Sequence, residues 1–400
     1  MTTNKNETNK LLLTTGMAWL FDAMDVGMLS FIIAALKTEW NLSESQMGWI
    51  GSISSIGMAV GAIFFGILAD RFGRKDILII TLLLFSITTG FSAFTTTYTI
   101  FLILRFFVGA GLGGELPVAS TLVSENVPFK SRGRIVVLLE SFWAGGWILA
   151  AVISYFIIPS WGWRVALLIS ALPAFYALYL RYGLKESMVV WNKKIKKQPL
   201  LKENLLNLWN SHYYKTTIML WIVWFMVVFS YYGMFLWLPS VVILKGYGLM
   251  HSFGYTLIMT LAQLPGYFVA AWLIEKWGRK WVLTTFLVGT AISAVGFGSA
   301  STLISLLLFG ILLSFFNLGA WGALYAYSPE QYPTSVRASG TGIAAGVGRL
   351  GGILGPLMVG EMLTKQYSFT IIFSIFCIAI LFAVLAIIIL GKETKGTKLE

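Results

Sequence analysis

The sequence predicts an all-α membrane protein with twelve transmembrane helices in two six-helix bundles. Three observations support this fold class: a series of long apolar runs, a one-sided distribution of basic residues, and charged motifs that recur at a fixed spacing. The chain has 400 residues, of which 57% are hydrophobic and only 12% are charged. Soluble domains carry about 25% charged residues, so this chain has too little polar surface for a water-soluble globule.

Twelve apolar runs are long enough to cross a bilayer, which takes about 20 mostly apolar residues. Such runs form helices, because in lipid every backbone polar group needs a partner within the chain. The predicted spans, to within a few residues, are 12–35, 46–69, 77–95, 98–122, 135–158, 163–183, 216–240, 252–274, 281–299, 302–326, 338–360 and 367–390. The first span has no A-x-A-type cleavage site, so we expect a retained helix rather than a signal peptide.

Basic residues mark one side of these spans. Of the 29 Lys and Arg residues, 23 fall on the side of the N-terminus, two lie within spans, and four fall on the opposite side: Lys37, Arg164, Lys245 and Lys365. The positive-inside rule therefore predicts a cell (inner) membrane protein with both termini in the cytoplasm. Since loops explain the net charge of +12, no nucleic-acid partner is expected. One cysteine and two histidines argue against a disulfide framework and against a zinc site.

The two halves of the chain repeat each other. Residues 66–75 (GILADRFGRK) parallel 271–280 (AWLIEKWGRK), and residues 125–132 (ENVPFKSR) parallel 330–337 (EQYPTSVR). The offset is the same in both cases, since 280 − 75 and 330 − 125 are both 205. We therefore predict an N-terminal bundle over 1–183, a basic cytoplasmic linker over 184–215 and a C-terminal bundle over 216–400. Transporters built from duplicated halves bind their solute between the halves near the membrane midplane.

These motifs carry a family resemblance. Residues 66–75 resemble the signature loop of the major facilitator superfamily, and Arg105-x-x-x-Gly109-x-Gly111 resembles its fourth-helix motif. The patterns over 330–337 and 392–396 (KETKG) are similar to the sugar-porter and synaptic-vesicle-protein-like branch. Residues 21–25 (FDAMD) resemble the first-helix motif of aromatic-acid/proton symporters, and together with 113–117 (GGELP) the chain resembles bacterial nicotinate (niacin) permeases. The resemblance implies a secondary active transporter that works by alternating access.

Four charged residues inside the spans are candidates for proton coupling. Asp22 and Asp25 are three residues apart and share a face of the first helix. Two carboxylates in a low-dielectric site repel each other, which favours holding a proton. The alternative is that one aspartate pairs with a cation and only fixes packing. Arg105 and Glu115 lie in the fourth helix. For Arg105 the resemblance implies either a structural role or a role in proton coupling. Glu115 is either a second proton site or the partner of another residue within the bundle.

Arg349, in the middle of the eleventh span, is the candidate for binding a carboxylate, since a planar guanidinium binds this group through two hydrogen bonds. The alternative is an inter-helix ion pair. A group of polar and aromatic residues in the middle of the spans would suit stacking on a flat ring. Its members are Trp143, Trp147, Tyr231, Tyr232, Asn317, Trp321 and Tyr325. Taken singly, each of them is also explained by packing.

A gate is predicted at the helix ends on the side of the N-terminus. The resemblance implies that Asp70 pairs across the interface of the halves when this side is closed, and the alternative is anchoring by positive charge. The residues predicted to take part are Asp70, Arg71, Arg74, Glu125, Arg132, Glu330 and Arg337.

The expected function is proton-coupled uptake of nicotinate, nicotinamide or a similar small aromatic carboxylate by a monomer in the lipid bilayer. A sugar or other organic solute is the alternative, but residues 138–143 and 228–232 lack the glutamines of similar sugar porters. A non-transporting receptor is disfavoured, since neither terminus nor the central segment is long enough for a signalling domain. The GxGxxG matches at 109–114 and 346–351 lie inside apolar spans, where they indicate helix packing rather than dinucleotide binding. No enzymatic activity, cofactor or metal is expected.

Overall fold

The computed structural model describes residues 5–72, 74–126, 132–173, 175–176, 208–211, 213–333 and 336–395. These residues form the following helices: α1 (Lys5–Glu39), α2 (Glu44–Phe72), α3 (Arg74–Ser92), α4 (Tyr98–Asn126), α5 (Arg132–Ser170), α6 (Tyr214–Phe235), α7 (Leu238–Leu244), α8 (Leu249–Leu261), α9 (Gln263–Trp277), α10 (Arg279–Ser299), α11 (Leu303–Glu330), α12 (Arg337–Thr364) and α13 (Phe369–Leu390).

The predicted all-α membrane fold is confirmed. Within the described residues, nine helices are long and apolar enough to cross a membrane, and two shorter apolar helices cover 79–92 and 98–113. Helix α5 runs through the fifth predicted span and into the sixth, and it bends where Pro159 lies inside the helix and Gly162 has φ +79°. The sixth span is described through residue 176, and residues 184–207 of the predicted linker lie outside the described part.

Two predicted spans each contain a short break in the helix. The seventh span consists of α6 and α7, which meet at residues 236–237, and the eighth consists of α8 and α9, which meet at Ala262. The residues at both breaks keep right-handed helical dihedral angles. Backbone hydrogen bonds span both breaks, since Val241 N donates to the carbonyl oxygen of Trp237 and Gly266 N to that of Ala262.

Helix packing repeats at the spacing seen in the sequence. A Cβ placed on Gly61 would lie 2.0 Å from the carbonyl oxygen of Ala110, which brings α2 against α4. A Cβ on Gly266 would lie 2.2 Å from the carbonyl oxygen of Phe315, which brings α9 against α11. The differences 266 − 61 and 315 − 110 are both 205, so the two halves repeat the same backbone contact.

A second pair of contacts follows the same rule. A Cβ on Gly146 in α5 would lie 2.2 Å from the carbonyl oxygen of Leu20 in α1, and one on Gly351 in α12 would lie 2.4 Å from that of Phe225 in α6. Again 351 − 146 and 225 − 20 are both 205. These glycines let backbones touch, as small residues do in membrane helices.

The two halves meet at the far end of the bundle, which we define as the end where α1 terminates. There the start of α2 packs on the end of α12. Ser45 Oγ donates to Glu361 Oε1 at 2.6 Å, and Ser52 Oγ donates to the carbonyl oxygen of Ile353 at 2.7 Å. A Cβ on Gly48 would lie 2.8 Å from the carbonyl oxygen of Pro356. These contacts close the far end between α2 and α12.

Candidate solute site between the two halves

Aromatic side chains from both halves meet in the interior. Trp143 Nε1 on α5 donates a 2.6 Å hydrogen bond to Tyr231 Oη on α6. The rings of Trp143 and Trp321 are inclined by only 18°, with centroids 6.4 Å apart, and the Tyr231 and Trp321 centroids are 4.7 Å apart. We call this group the aromatic cluster, and its members are Trp19, Trp143, Trp147, Tyr231, Trp321 and Tyr325.

Helix periodicity explains why α5 contributes two members of the cluster. Trp143 and Trp147 are four residues apart, so they share one face of α5. Trp147 is fully buried and meets the rings of Tyr231 and Phe235 edge-on, at centroid distances of 6.3 and 5.9 Å. The predicted aromatic residues therefore converge, and the interface of the halves runs through them.

Arg349 extends from α12 towards the other half and is partly buried. Its Nη1 donates to Tyr232 Oη at 3.3 Å and lies 3.4 Å from Met58 Sδ on α2. No carboxylate among the described side chains forms an ion pair with Arg349. An arginine in this setting is suited to binding an anion, because its charge is not neutralised by a neighbouring acid.

A buried ion pair joins α1 to α4. Arg105 Nη1 lies 3.2 Å from Asp25 Oδ2, and the two residues are 0% and 1% exposed. Asp25 Oδ1 also accepts hydrogen bonds from Thr89 Oγ1 at 2.9 Å and Ser170 Oγ at 3.3 Å. The Arg105 guanidinium carbon lies 5.2 Å from the centroid of the Phe101 ring. Two of the predicted proton-coupling residues thus contact each other directly.

The other two proton-coupling candidates are described less fully. Asp22 is also buried, at 2% exposure, on the same helix as Asp25. Glu115 lies within α4, but its side chain is outside the described part of the structure. Its role stays a prediction.

A small cavity is lined by residues of both halves. Asp25 of the ion pair lines it together with Ser54, Ser55 and Met58 on α2 and Tyr232 on α6. Two of these residues, Met58 and Tyr232, contact Arg349. The candidate proton carrier and two contacts of the candidate carboxylate site therefore border the same space.

The predicted gate is described only in the C-terminal half. Glu330 Oε2 lies 3.1 Å from Arg279 Nε and accepts a hydrogen bond from Thr394 Oγ1 at 2.5 Å. Arg337 Nε donates to the carbonyl oxygen of Tyr332 at 3.2 Å. These contacts lie within one half of the molecule. The side chains of five predicted gate residues lie outside the described part, so pairing across the halves stays a prediction: Asp70, Arg71, Arg74, Glu125 and Arg132.

Sequence reasoning missed Glu140, which lies on α5 one turn before Trp143 and is 2% exposed. The signal was available, since Glu140 is a carboxylate five residues inside the predicted fifth span. Thr89 and Ser170, which bind Asp25, carried no comparable signal, because hydroxyls are common in membrane helices.

Comparisons with known proteins agree with this architecture. The family model described as Major Facilitator Superfamily matches residues 15–259 and 248–400. A protein of Bacillus subtilis (strain 168) with the provisional name niacin/nicotinamide transporter NiaP is 64% identical over 391 residues, which cover 98% of each chain. The niacin transporter NiaP of Acinetobacter baylyi (strain ATCC 33305 / BD413 / ADP1) is 46% identical over 417 residues, covering 98% of this chain and 95% of the relative. The inward-open xylose transporter XylE from E. coli has the same fold, with a TM-score of 0.78, 21% identity and 98% coverage of both chains.

Proposed function

Because the chain belongs to the major facilitator superfamily, we propose that it is a secondary transporter for nicotinate, nicotinamide or a similar small aromatic carboxylate, taken up together with protons. The relatives at 64% and 46% identity are named for niacin transport and match nearly the whole chain. The observation that carries the proposal is the aromatic cluster joined across the halves, next to an arginine without an acidic partner among the described residues.

The geometry suits a flat anion. The guanidinium of Arg349 binds the carboxylate, and the aromatic cluster offers faces and edges to the ring. A hydrogen bond to a charged group contributes about 1.5–3 kcal/mol, which makes the arginine the main determinant of carboxylate affinity. Since Arg349 also contacts Tyr232 in its own half and Met58 in the other, binding an anion there alters contacts between the halves.

Alternating access and proton coupling complete the proposal. At the far end α2 packs against α12. The positive-inside rule predicts that this end faces the outside of the cell and that both termini lie in the cytoplasm, in a bacterial inner membrane. An anion that enters against an inside-negative potential gains from the entry of a proton. Asp25 is the proposed proton carrier, because a proton on its carboxylate removes the charge that holds Arg105. The carrier acts as a monomer, without a catalytic step or a cofactor.

Uptake of labelled nicotinate by proteoliposomes with an imposed inward proton gradient tests the proposal. We expect saturable uptake that a protonophore abolishes, and loss of uptake in Arg349→Ala. Arg164→Ala is the matched control, since it also removes one arginine charge but from an ion pair at the far end that is 40% exposed. Absent nicotinate uptake would refute the substrate, full uptake in Arg349→Ala would refute the arginine's role, and indifference to the protonophore would refute coupling.

A further inference from the structure

Glu140 is a buried carboxyl group without a charged partner among the described residues. It lies on α5 at 2% exposure, and its Oε2 has no hydrogen-bond partner in the described part of the structure. Among the described side chains, no lysine or arginine forms an ion pair with it. Leaving a buried polar group unsatisfied costs about 1–3 kcal/mol, so such a group in a folded protein calls for an explanation.

The groups around Glu140 are also unsatisfied. The indoles of Trp19 and Trp321 flank its carboxyl, and Nε1 of each ring has no hydrogen-bond partner by distance and angle among the described residues. The hydroxyl of Tyr267 interacts electrostatically with Glu140, and it likewise has no hydrogen-bond partner within the described ranges. All three side chains are at most 5% exposed. Buried polar atoms are satisfied in most native structures, so this concentration of free donors and acceptors indicates a binding site for a polar ligand.

The same faces of the neighbouring helices add further unsatisfied groups. Gln263 lies one turn before Tyr267 on α9, and neither its amide oxygen nor its amide nitrogen has a hydrogen-bond partner among the described residues. Asn317 lies one turn before Trp321 on α11, and its Oδ1 also has none there. Both side chains are almost fully buried, at 0% and 1% exposure. Four helices, α1, α5, α9 and α11, therefore contribute such groups, and two of the groups, the indoles of Trp19 and Trp321, belong to the aromatic cluster.

We propose that the Glu140 carboxyl recognises the ring nitrogen of the solute by a hydrogen bond, while Arg349 binds its carboxylate. This inference rests on the proposed function and makes it more specific. Arg349 contacts the Tyr232 hydroxyl, and the Tyr232 ring packs against Tyr231 with centroids 5.2 Å apart. Tyr231 in turn packs against Trp321, which lies beside Glu140, so a continuous row of aromatic side chains links the two charged groups. The solute class is thereby narrowed from aromatic carboxylates to pyridine carboxylates.

A carboxyl group and a pyridine nitrogen pair through one shared proton. Either the carboxylic acid donates to the neutral nitrogen, or the carboxylate accepts from the protonated nitrogen. A benzene ring offers only C–H at the same position, so binding benzoate leaves Glu140 as unsatisfied as in the empty site. A site built to hydrogen-bond a polar group rejects an analogue that lacks it.

The test compares nicotinate with benzoate, which has the same carboxylate and ring size but no ring nitrogen. In proteoliposomes, unlabelled nicotinate and benzoate compete with labelled nicotinate, and the ratio of their inhibition constants measures recognition of the nitrogen. We expect the wild-type protein to prefer nicotinate over benzoate. We expect Glu140→Met to reduce that preference about tenfold, or about 1.4 kcal/mol, without weakening the binding of benzoate. Glu140→Gln keeps an N–H donor and retains most of the preference.

Ser141→Ala is the matched control on the same helix, since the Ser141 hydroxyl donates to the carbonyl oxygen of Leu138 at 2.7 Å. It is expected to leave the ratio unchanged. If Glu140→Met does not transport, the same ratio is read from ligand-induced shifts in the unfolding temperature of the purified protein. A second experiment needs only the wild-type protein. Pyridine carboxylates with the nitrogen at another ring position are expected to compete with labelled nicotinate only as well as benzoate does. The reason is that Arg349 and Glu140 are fixed relative to each other, so the nitrogen of these isomers does not reach Glu140 when Arg349 holds the carboxylate.

Several outcomes overturn the inference. One is an unchanged preference in Glu140→Met, and another is an equal loss of nicotinate and benzoate, which would mark Glu140 as structural. Equal competition by all three pyridine carboxylate isomers also overturns it. Wild-type uptake of nicotinate without preference over benzoate removes this inference alone, whereas the absence of nicotinate uptake in wild type removes the proposed function as well.

Discussion

Replacing Asp25 by asparagine is the sharpest test of the proton site. Asn has nearly the same size and keeps an oxygen that accepts from Thr89 and Ser170. It lacks the negative charge and cannot carry the coupling proton. We expect Asp25→Asn to lose accumulation driven by a proton gradient, while exchange of labelled for unlabelled solute continues, because exchange needs no net proton movement.

The structure sets the size of the stability cost. Arg105 is fully buried, and its Nε and Nη2 have no hydrogen-bond partner in the part of the chain that the structure describes. In Asp25→Asn the Arg105 guanidinium loses its negative partner but keeps its contact with the Phe101 ring, whose centroid lies 5.2 Å away. Such a cation–π contact contributes about 0.5–2 kcal/mol. Removing one partner of a buried ion pair costs about 3–5 kcal/mol. Since Asn keeps two of the hydrogen bonds made by Asp25, we expect about 3 kcal/mol.

The second substitution of a double-mutant cycle separates stability from coupling. In Asp25→Asn with Arg105→Gln no buried charge remains uncompensated, so we expect the unfolding temperature to recover most of its loss. Proton-driven accumulation is not expected to return, because no group then carries the proton. Glu39→Gln is the control, since it breaks the Glu39–Arg164 pair, whose side chains are 43% and 40% exposed, at a cost of about 1 kcal/mol or less.

The assay measures three quantities on the same proteoliposome preparation: accumulation under a proton gradient, exchange at equal pH, and the unfolding temperature. If Asp25→Asn accumulates solute as wild type does, the proton is carried elsewhere. If a folded Asp25→Asn protein loses exchange together with accumulation, the ion pair serves solute binding or movement of the halves, and the reasoning about coupling is wrong.

Three further predictions concern packing, the aromatic cluster and the far end. Trp143→Phe keeps a ring but removes the donor to Tyr231, so we expect the KM for nicotinate uptake to rise several-fold and stability to fall by about 1 kcal/mol. Gly266→Val is expected to lower the unfolding temperature strongly, because its Cβ would lie 2.2 Å from a backbone oxygen. Gly342→Ala is not expected to lower it, because no described atom lies within 4 Å of the added Cβ and alanine favours the helix. Ser45→Ala removes the hydrogen bond to Glu361 at the far end. Access to this end is measured with a cysteine probe, Ser52→Cys in a Cys377→Ser background, and we expect Ser45→Ala to speed its labelling by a membrane-impermeant maleimide. An unchanged labelling rate would contradict the role of the Ser45–Glu361 contact in closure.

The sequence could predict the fold because each span is a local property. Hydropathy marks every long apolar run, and the 205-residue offset that relates the motifs also relates Gly61 to Gly266 in the packing. The breaks at 236–237 and at Ala262 were not predicted, since the residues around them are as apolar as the helices they interrupt. Pro239 lies in the first turn of α7, where proline is compatible with a helix start, but hydropathy does not register this.

The candidate site was only partly predictable, because it depends on which helices pack together. Sequence spacing showed that Asp22 and Asp25 share a face, and it predicted repulsion between them. It did not show that α4 brings Arg105 to 3.2 Å from Asp25, since no local pattern relates residues 80 positions apart. Glu140 shows the opposite case, in which the charge is visible in the sequence but its burial follows from the tertiary structure.

The shared cavity gives a physical reason for coupling one proton to one anion. Asp25 and Tyr232 line the same space, and Arg349 contacts both Tyr232 and Met58 of its wall. In the empty carrier, Asp25, Arg105 and Arg349 together have a net charge of +1. When Asp25 takes up a proton and Arg349 binds a carboxylate, one positive and one negative charge are added, so the net charge is still +1. Either event alone would change the charge buried between the halves, at a cost that low-dielectric surroundings make large. A carrier that moves only with this charge unchanged therefore moves empty or with both ligands, which predicts electroneutral uptake of the anion with one proton.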